Sequence, residues 1–429
     1  MSIAAQPGLA PVRRTFSNGL TSLIQRTSTH PAVTLAVTIP AGTVCDPDDR
    51  TGLAHFAARV IDRGTASRSS ADVAEALDDR GVSLNTGVNR HLFVLNCSCL
   101  AEDAPALIDL IAEIVRDPVF PPIEVDARRA EIVTAIRQDD DNPASVAGDA
   151  LQELLFAGHP YGRRLRGSLS SVQAITRHDL VEFHRQRFGP AGTAVAVVGD
   201  IDPGRAADLV ERAFGGWTAG AAPPMALPAH GDAVRRQRLV IPMMDKAQAD
   251  IAYGFTGVRR QDPQYYAALL MNNVLGQYGL GGRLGDSIRE RQGMAYYAYS
   301  SLDADLAAGA LTIRAGVAGN DVDRTIASID AEVSHMQREG VTPDELADAR
   351  RYLVGSKPRL LETNDGIATF LLTAEHFGLG LDFDRRLPAL LEAVTLDDVN
   401  AAAARLLRTD HASVAIAGPY AGTPAGLAA

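Results

Sequence analysis

A mixed α/β (α+β) fold in two tandem, homologous domains is the reading the sequence supports, on three observations. The chain has 429 residues, too many for one ordinary core, so two domains of roughly 200 residues are expected. Strand-like and helix-like segments alternate along it. One unit of sequence also recurs at a constant offset. Thr176-Arg177-His178-Asp179 opens a helical pattern that leads to Ala194–Gly199, and Thr395-Leu396-Asp397-Asp398 opens one that leads to Ser413–Gly418. Thr176 to Thr395 and Gly199 to Gly418 are both separations of 219 positions. In each copy Thr is the expected N-cap, and the Asp three residues on sits where the helix dipole favours an anion. A shared offset across cap, helix, strand and glycine indicates two halves of like fold.

The elements of the first half follow in order. Thr21–Thr27 and Ala32–Gly42 have strand character. Residues 51–63 are expected to form a helix, with Thr51 as N-cap and Gly64 as its stop. A second helix is expected over Asp72–Arg80 and a long strand over Leu92–Leu100. Ala104–Arg116 and Ile123–Gln138 are amphipathic helices, His178–Phe188 is another, and Ala194–Val198 is an apolar strand. Residues 218–235, rich in Gly, Pro and Ala, carry little periodicity and mark a linker. The expected domains are therefore 1–217 and 236–429.

Composition removes several functional classes. Net charge is −11 and no basic stripe is present, which argues against a long nucleic-acid contact. The arginine pairs Arg13-Arg14 and Arg163-Arg164 are expected on solvated surface. Cys45, Cys97 and Cys99 are odd in number and lack CxxC spacing, so neither a disulfide framework nor a thiolate metal site is expected. No stretch reaches the roughly 18 apolar residues of a membrane span. The first residues contain no apolar run of signal-peptide length. A cytoplasmic location is the expectation, or a periplasmic one if a leader precedes the sequence given. No G-x-S-x-G elbow appears, and Gly276–Gly282 lacks G-x-G-x-x-G spacing because position 284 is Leu.

On a helix, residues i and i+4 share a face and i+3 lies beside them, the spacing a hydrolytic metal site uses for its ligands and base. The segment Gly52-Leu53-Ala54-His55-Phe56-Ala57-Ala58-Arg59, followed by Gly64-Thr65, resembles the inverted motif H-x-x-E-H of the pitrilysin (inverzincin) zinc metallopeptidases. The resemblance runs through nearly the whole chain. It takes in His159-Pro160-Tyr161-Gly162 with Gly167, and the closing strand Val197-Val198-Gly199-Asp200. It implies that each half is an antiparallel-rich sheet with helices packed on it, and that the chain forms half of a clamshell chamber.

The zinc motif itself is degenerate. His55 keeps the first ligand position, Ala58 stands where the general-base Glu belongs, and Arg59 stands where the second His belongs. The family's third ligand, a Glu on a later helix ahead of an Asp-Asn-Pro turn, falls on Ala135, ahead of Asp141-Asn142-Pro143. Glu131, one turn before Ala135, and Asp62, one turn after Ala58, are expected to be surface or ion-paired groups. A guanidinium does not deprotonate and repels a divalent cation. No metal is therefore expected in this chain, and His55 is expected to be a structural histidine.

In the second half, Arg283–Tyr296 resembles the family's segment of the type SRL-x-x-x-[IL]R-x-x-x-G-[LM]-A-Y. By position, the resemblance makes Arg289 and Tyr296 the pair that stabilises negative charge developing on a substrate carbonyl. Tyr297 and Tyr299 are expected to pack or to line the cleft. Gly276–Gly282 is expected to be a flexible loop, with Gly281 and Gly282 contacting substrate. Gly81-Val82-Ser83-Leu84-Asn85 resembles the family's edge strand, to which a peptide adds by backbone pairing, with Gly81, Leu84 and Asn85 as substrate contacts.

Loss of the zinc ligands with retention of the Arg/Tyr pair implies a non-catalytic subunit. Its partner is a zinc-bearing paralogous chain, and together they form a heterodimer acting on peptides or unfolded polypeptides. The alternative is an inert scaffold or a peptide-holding, chaperone-like protein of the same fold.

Overall fold

The computed structural model describes residues 8–218, 227–228, 231, 235–278 and 281–422. Most of the expected linker and the Gly279-Leu280 step lie outside the described residues.

Six strands form the first sheet: β1 (Val12–Thr15), β2 (Thr21–Arg26), β3 (Ala32–Ile39), β4 (Asn85–Val88), β5 (Phe93–Leu100) and β6 (Ala194–Gly199). Their order is β1-β2-β6-β3-β5-β4, with every pairing antiparallel except β2 with β6. Five strands form the second: β7 (Gln237–Pro242), β8 (Ala249–Thr256), β9 (Ala295–Leu302), β10 (Ala310–Val317) and β11 (Ser413–Gly418). Their order is β7-β11-β8-β10-β9, again antiparallel apart from one pair, β7 with β11. The two orders superimpose strand for strand once β1 is set aside. The duplication thus extends from sequence to topology, and the fold is mixed α/β with antiparallel-rich sheets.

β6 and β11 are central and buried at every residue. That burial on both faces is why each reads as a continuous apolar run rather than an alternating one. β5 alternates instead: Phe93, Leu95, Cys97 and Cys99 turn inward, so both cysteines of this strand are core residues. The two Thr-x-x-Asp units form reciprocal capping boxes. Thr176 and Thr395 each accept from the backbone of the Asp three residues on, and each Asp accepts from the Thr backbone in return.

The chain divides into two compact units, and neither is contiguous. The first comprises Met1–Ile136, Arg164–Ala226 and Lys357–Arg386; the second comprises Arg137–Arg163, Leu227–Ser356 and Leu387–Ala429. A linear division at 218–235 therefore misses a reciprocal exchange. The helix Pro143–Leu155, from the first half of the sequence, packs on β8 and β11 of the second sheet. The helix Asn364–His376, from the second half, packs on β3 and β6 of the first sheet. Each is a structural counterpart of the other on its own sheet. Gly254 in β8 leaves room for Leu151 and Leu155 of the incoming helix. Asn364 accepts from Thr27 Oγ1 at 2.7 Å and donates to the Ala32 carbonyl at 3.2 Å, while Glu375 pairs with Arg13 at 2.8 Å.

The helix expected over 51–63 is shorter, Leu53–Val60, and Thr51 does not cap it. Its N-cap is Gly52, in the left-handed region at φ 90°. The buried carboxylate of Asp46 supplies the missing acceptor, taking the Gly52 N–H at 2.7 Å and the Ala54 N–H at 2.8 Å. Asp46→Ala leaves two buried donors at a helix N-terminus unpaired. It is expected to lower stability by about 1–2 kcal/mol, read as a lower urea midpoint with the slope unchanged.

Candidate functional site

The Leu53–Val60 helix places His55, Ala58 and Arg59 within one turn. His55 is half-buried and Ala58 is fully buried, its methyl in the core. The carbonyl of Ala58 accepts from Thr86 Oγ1 of β4 at 2.8 Å, so this helix lies against the edge strand of the first sheet. Arg59 points outward, its side chain 44% exposed. Its guanidinium is 3.5 Å from the carboxylate of Glu131, on the helix Pro122–Asp140. Arg128 holds the same carboxylate at 2.6 Å. Ala135, half-buried, follows one turn later.

The positions that the zinc motif brings together are thus neighbours here, but they present the wrong chemistry. His55 shares its helical turn with a methyl group and a fixed cation, and that cation faces an ion-paired glutamate. Asp62 ends the cluster 3.2 Å from Arg63, and burial holds its carboxyl above the usual range despite Arg63, Arg59 and Arg128 nearby. Among the described residues no group of three His, Cys, Asp or Glu side chains is arranged to hold a metal ion. This donor set does not fit zinc, which requires deprotonated or neutral ligands on an open, positively uncrowded face.

Gly81-Val82-Ser83-Leu84 is not strand. Gly81 occupies a left-handed turn at φ 60° after the helix Ser70–Asp78, and β4 begins only at Asn85. Leu84 is half-buried on the approach, and Asn85 is exposed at the strand's first position.

Arg289 and Tyr296 lie on one continuous device in the second unit. Gly285–Arg291 forms a π-helical turn, an irregularity that recurs at functional sites. Gly293, at φ 62°, and the bond from the Met294 N–H to the Ile288 carbonyl at 3.1 Å turn the chain into β9. There Ala295 faces Val317 while Tyr297 faces Gly316, so Tyr296 is the extra residue of a β-bulge. Bulges re-aim side chains at sheet edges, and Tyr296 is 80% exposed on an edge strand. Among the described residues the exposed guanidinium of Arg289 has one ion-pair contact, to its neighbour Glu290 at 3.7 Å.

Tyr297 turns inward and donates to Asp250, and burial, with that carboxylate, pushes its hydroxyl well above the usual tyrosine range. Tyr299 lies in a tilted ring contact with Tyr297 at 5.7 Å. Gly282 has a packing reason to be glycine, since a Cβ there would stand 2.8 Å from the Cα of Gly276. Gly281 is exposed, and a Cβ there would collide with the ring of Tyr278.

Sequence reasoning missed the anchor of this device. Arg283 binds Glu345 through two parallel bonds of 2.7 Å and donates to the Gly340 carbonyl at 3.0 Å. Burial pushes the Glu345 carboxyl up, but Arg283 and the Thr342 backbone N–H outweigh it and leave it below the usual range. The pattern Thr-x-x-Glu at Thr342–Glu345 was the available signal for a capped helix start there.

A duplicated α/β architecture, with a metallopeptidase-type helix in the first unit and an Arg/Tyr segment in the second, defines a chain of the insulinase-type peptidase class. Residues 21–168 match the family described as Insulinase (Peptidase family M16), and residues 174–353 match the Peptidase M16 inactive domain. The chain belongs to peptidase family M16. An uncharacterized zinc protease of Mycobacterium tuberculosis is 29% identical over 417 residues, covering 96% of this chain and 94% of that protein. The uncharacterized zinc protease YmxG of Bacillus subtilis is 25% identical over 419 residues, covering 96% and 99%. Among solved structures, a peptidase M16 inactive domain from Pseudomonas fluorescens has the same fold. It shows a TM-score of 0.89 at 23% identity, with 96% of this chain and 98% of that one covered. A protease from Helicobacter pylori superimposes with a TM-score of 0.86 at 16% identity, covering 95% and 99%.

Proposed function

We propose that this chain is the non-catalytic subunit of a two-chain zinc metallopeptidase that cleaves peptides or unfolded polypeptide segments. The observation that carries this reading is an asymmetry. The first unit presents Ala58, Arg59 and Ala135 where base and ligands belong, while the second unit presents Arg289 outward on a π-helical turn and Tyr296 outward on a bulged edge strand.

A zinc-bearing paralogue with intact H-x-x-E-H carries the metal and the base. This chain supplies no cofactor of its own. Its Arg289 guanidinium and Tyr296 hydroxyl stabilise the negative charge that develops on the substrate carbonyl oxygen. The open edge of β4, from Asn85 onward with Leu84 and the Gly81 turn before it, receives extended polypeptide by backbone pairing. Gly281 and Gly282 contribute contacts ahead of the Arg/Tyr segment.

The test uses a quenched-fluorescence peptide, this chain, and a paralogue from the same organism that carries the intact motif. This chain alone is expected to hydrolyse nothing, and the mixture to show chelator-sensitive cleavage well above that of the paralogue alone. Equal activity of the paralogue with and without this chain would reject the reading and favour an inert scaffold.

A further inference from the structure

The helix with the degenerate zinc motif stands against a strand at the edge of its sheet, and the residue that follows the bonded Ala58 is a cation. β4 closes its sheet and pairs only with β5, leaving its outward N–H and C=O groups without a backbone partner among the described residues. The strand's face is open at Gly87, where an added Cβ would meet nothing within 4 Å. The bond from Thr86 Oγ1 to the Ala58 carbonyl at 2.8 Å fixes the helix against the strand's face. Arg59 is the next residue.

Its charge is poorly compensated. Its ion pair, to Glu131, is long at 3.5 Å, and it makes no side-chain hydrogen bond among the described residues. Glu131 is already held by Arg128 at 2.6 Å, so one carboxylate serves two guanidinium groups. Asp62, the other acid of the cluster, lies against Arg63 at 3.2 Å. The junction therefore holds Arg59, Arg63 and Arg128 against Asp62 and Glu131, an excess of one positive charge.

We propose that Arg59 and the open edge of β4 form a receptor for a carboxylate carried by an extended polypeptide. This rests on the peptide-handling reading above and names what the degenerate helix binds. Edge pairing supplies sequence-independent affinity. A guanidinium matches a carboxylate in a planar, bidentate fork and strengthens the bond by its charge. Where an intact motif would polarise a scissile carbonyl, this chain holds an anion, either a C-terminal carboxylate or an acidic side chain.

The test is fluorescence anisotropy on the full chain at low ionic strength, with a short rhodamine-labelled peptide of Thr, Val and Gln residues in three forms. One ends in the free acid, one in the amide, and one is the amide with a single internal Glu. The acid is expected to bind about tenfold tighter than the neutral amide. Arg59→Gln is expected to erase that preference and Arg59→Lys to keep part of it, both with an unchanged thermal midpoint because Glu131 retains Arg128. Tight binding of the Glu-containing amide assigns the site to acidic side chains, and its absence assigns it to C-termini. The proposal is overturned if neither the acid nor the Glu-containing amide binds tighter than the neutral amide, if the preference survives Arg59→Gln, or if no form binds. The assay needs neither hydrolysis nor a second chain, so its failure is separate from failure of the two-chain peptidase reading.

Discussion

In a mixture with the zinc-bearing paralogue, Arg289→Ala is expected to lower kcat by about 10²–10³, the scale of removing one preorganised donor from an oxyanion site. Tyr296→Phe deletes a single hydroxyl and is expected to cost less, and the double variant to cost no more than the two combined, because both groups act on one developing charge. KM is expected to move little, since the interaction strengthens as the carbonyl becomes tetrahedral. Both side chains are exposed, and among the described residues the ion pair of the Arg289 guanidinium is to its neighbour Glu290. Stability should therefore stay within about 0.5 kcal/mol of the parent, and lost activity cannot be blamed on unfolding. A scaffold would be indifferent to both substitutions. Wild-type kcat from the double variant in the mixture would falsify the assigned role.

The second large effect concerns the duplication. Gly199 ends β6 at φ 151° and Gly418 ends β11 at φ 136°. A Cβ on Gly199 would overlap the carbonyl oxygen of Ala32, and one on Gly418 would overlap the Cα of Ala249. In each case the obstacle is backbone of the neighbouring strand, β3 or β8, which cannot swing aside as a side chain can. Gly199→Ala and Gly418→Ala are each expected to cost about 3 kcal/mol or more, combining backbone strain with overpacking. Gly355, inside the helix Pro343–Leu360, has open space around its Cβ position. Gly355→Ala should be neutral or stabilising by up to about 1 kcal/mol. Urea unfolding of the three variants distinguishes these outcomes, and a mild effect at either strand-end glycine would mean the two halves do not share this constraint.

Legibility in the sequence followed the range of the interaction. The Thr-x-x-Asp caps are local, and both formed where the repeat put them. The helix Ala104–Arg116 was bounded correctly by its apolar periodicity. Features made by distant residues were not legible. Asp46 caps a helix from a loop, so its role has no local pattern, and Thr51 drew the assignment instead. The exchange of Pro143–Leu155 and Asn364–His376 between sheets depends on which surface each apolar stripe finds, which periodicity does not specify. The bulge at Tyr296 is a register event between two strands and leaves no mark in one of them. At the degenerate motif, residue identities are plain from sequence, whereas the pairing of Arg59 with an already engaged Glu131 is set by how two helices pack and has no local pattern.

The claim on which the account depends is that the first unit holds no zinc. Metal analysis of the isolated, dialysed chain, by plasma emission spectroscopy after incubation with excess zinc, tests it most directly. Zinc far below one equivalent per chain, unchanged in His55→Ala, is the predicted result. Stoichiometric zinc that disappears in His55→Ala would contradict it.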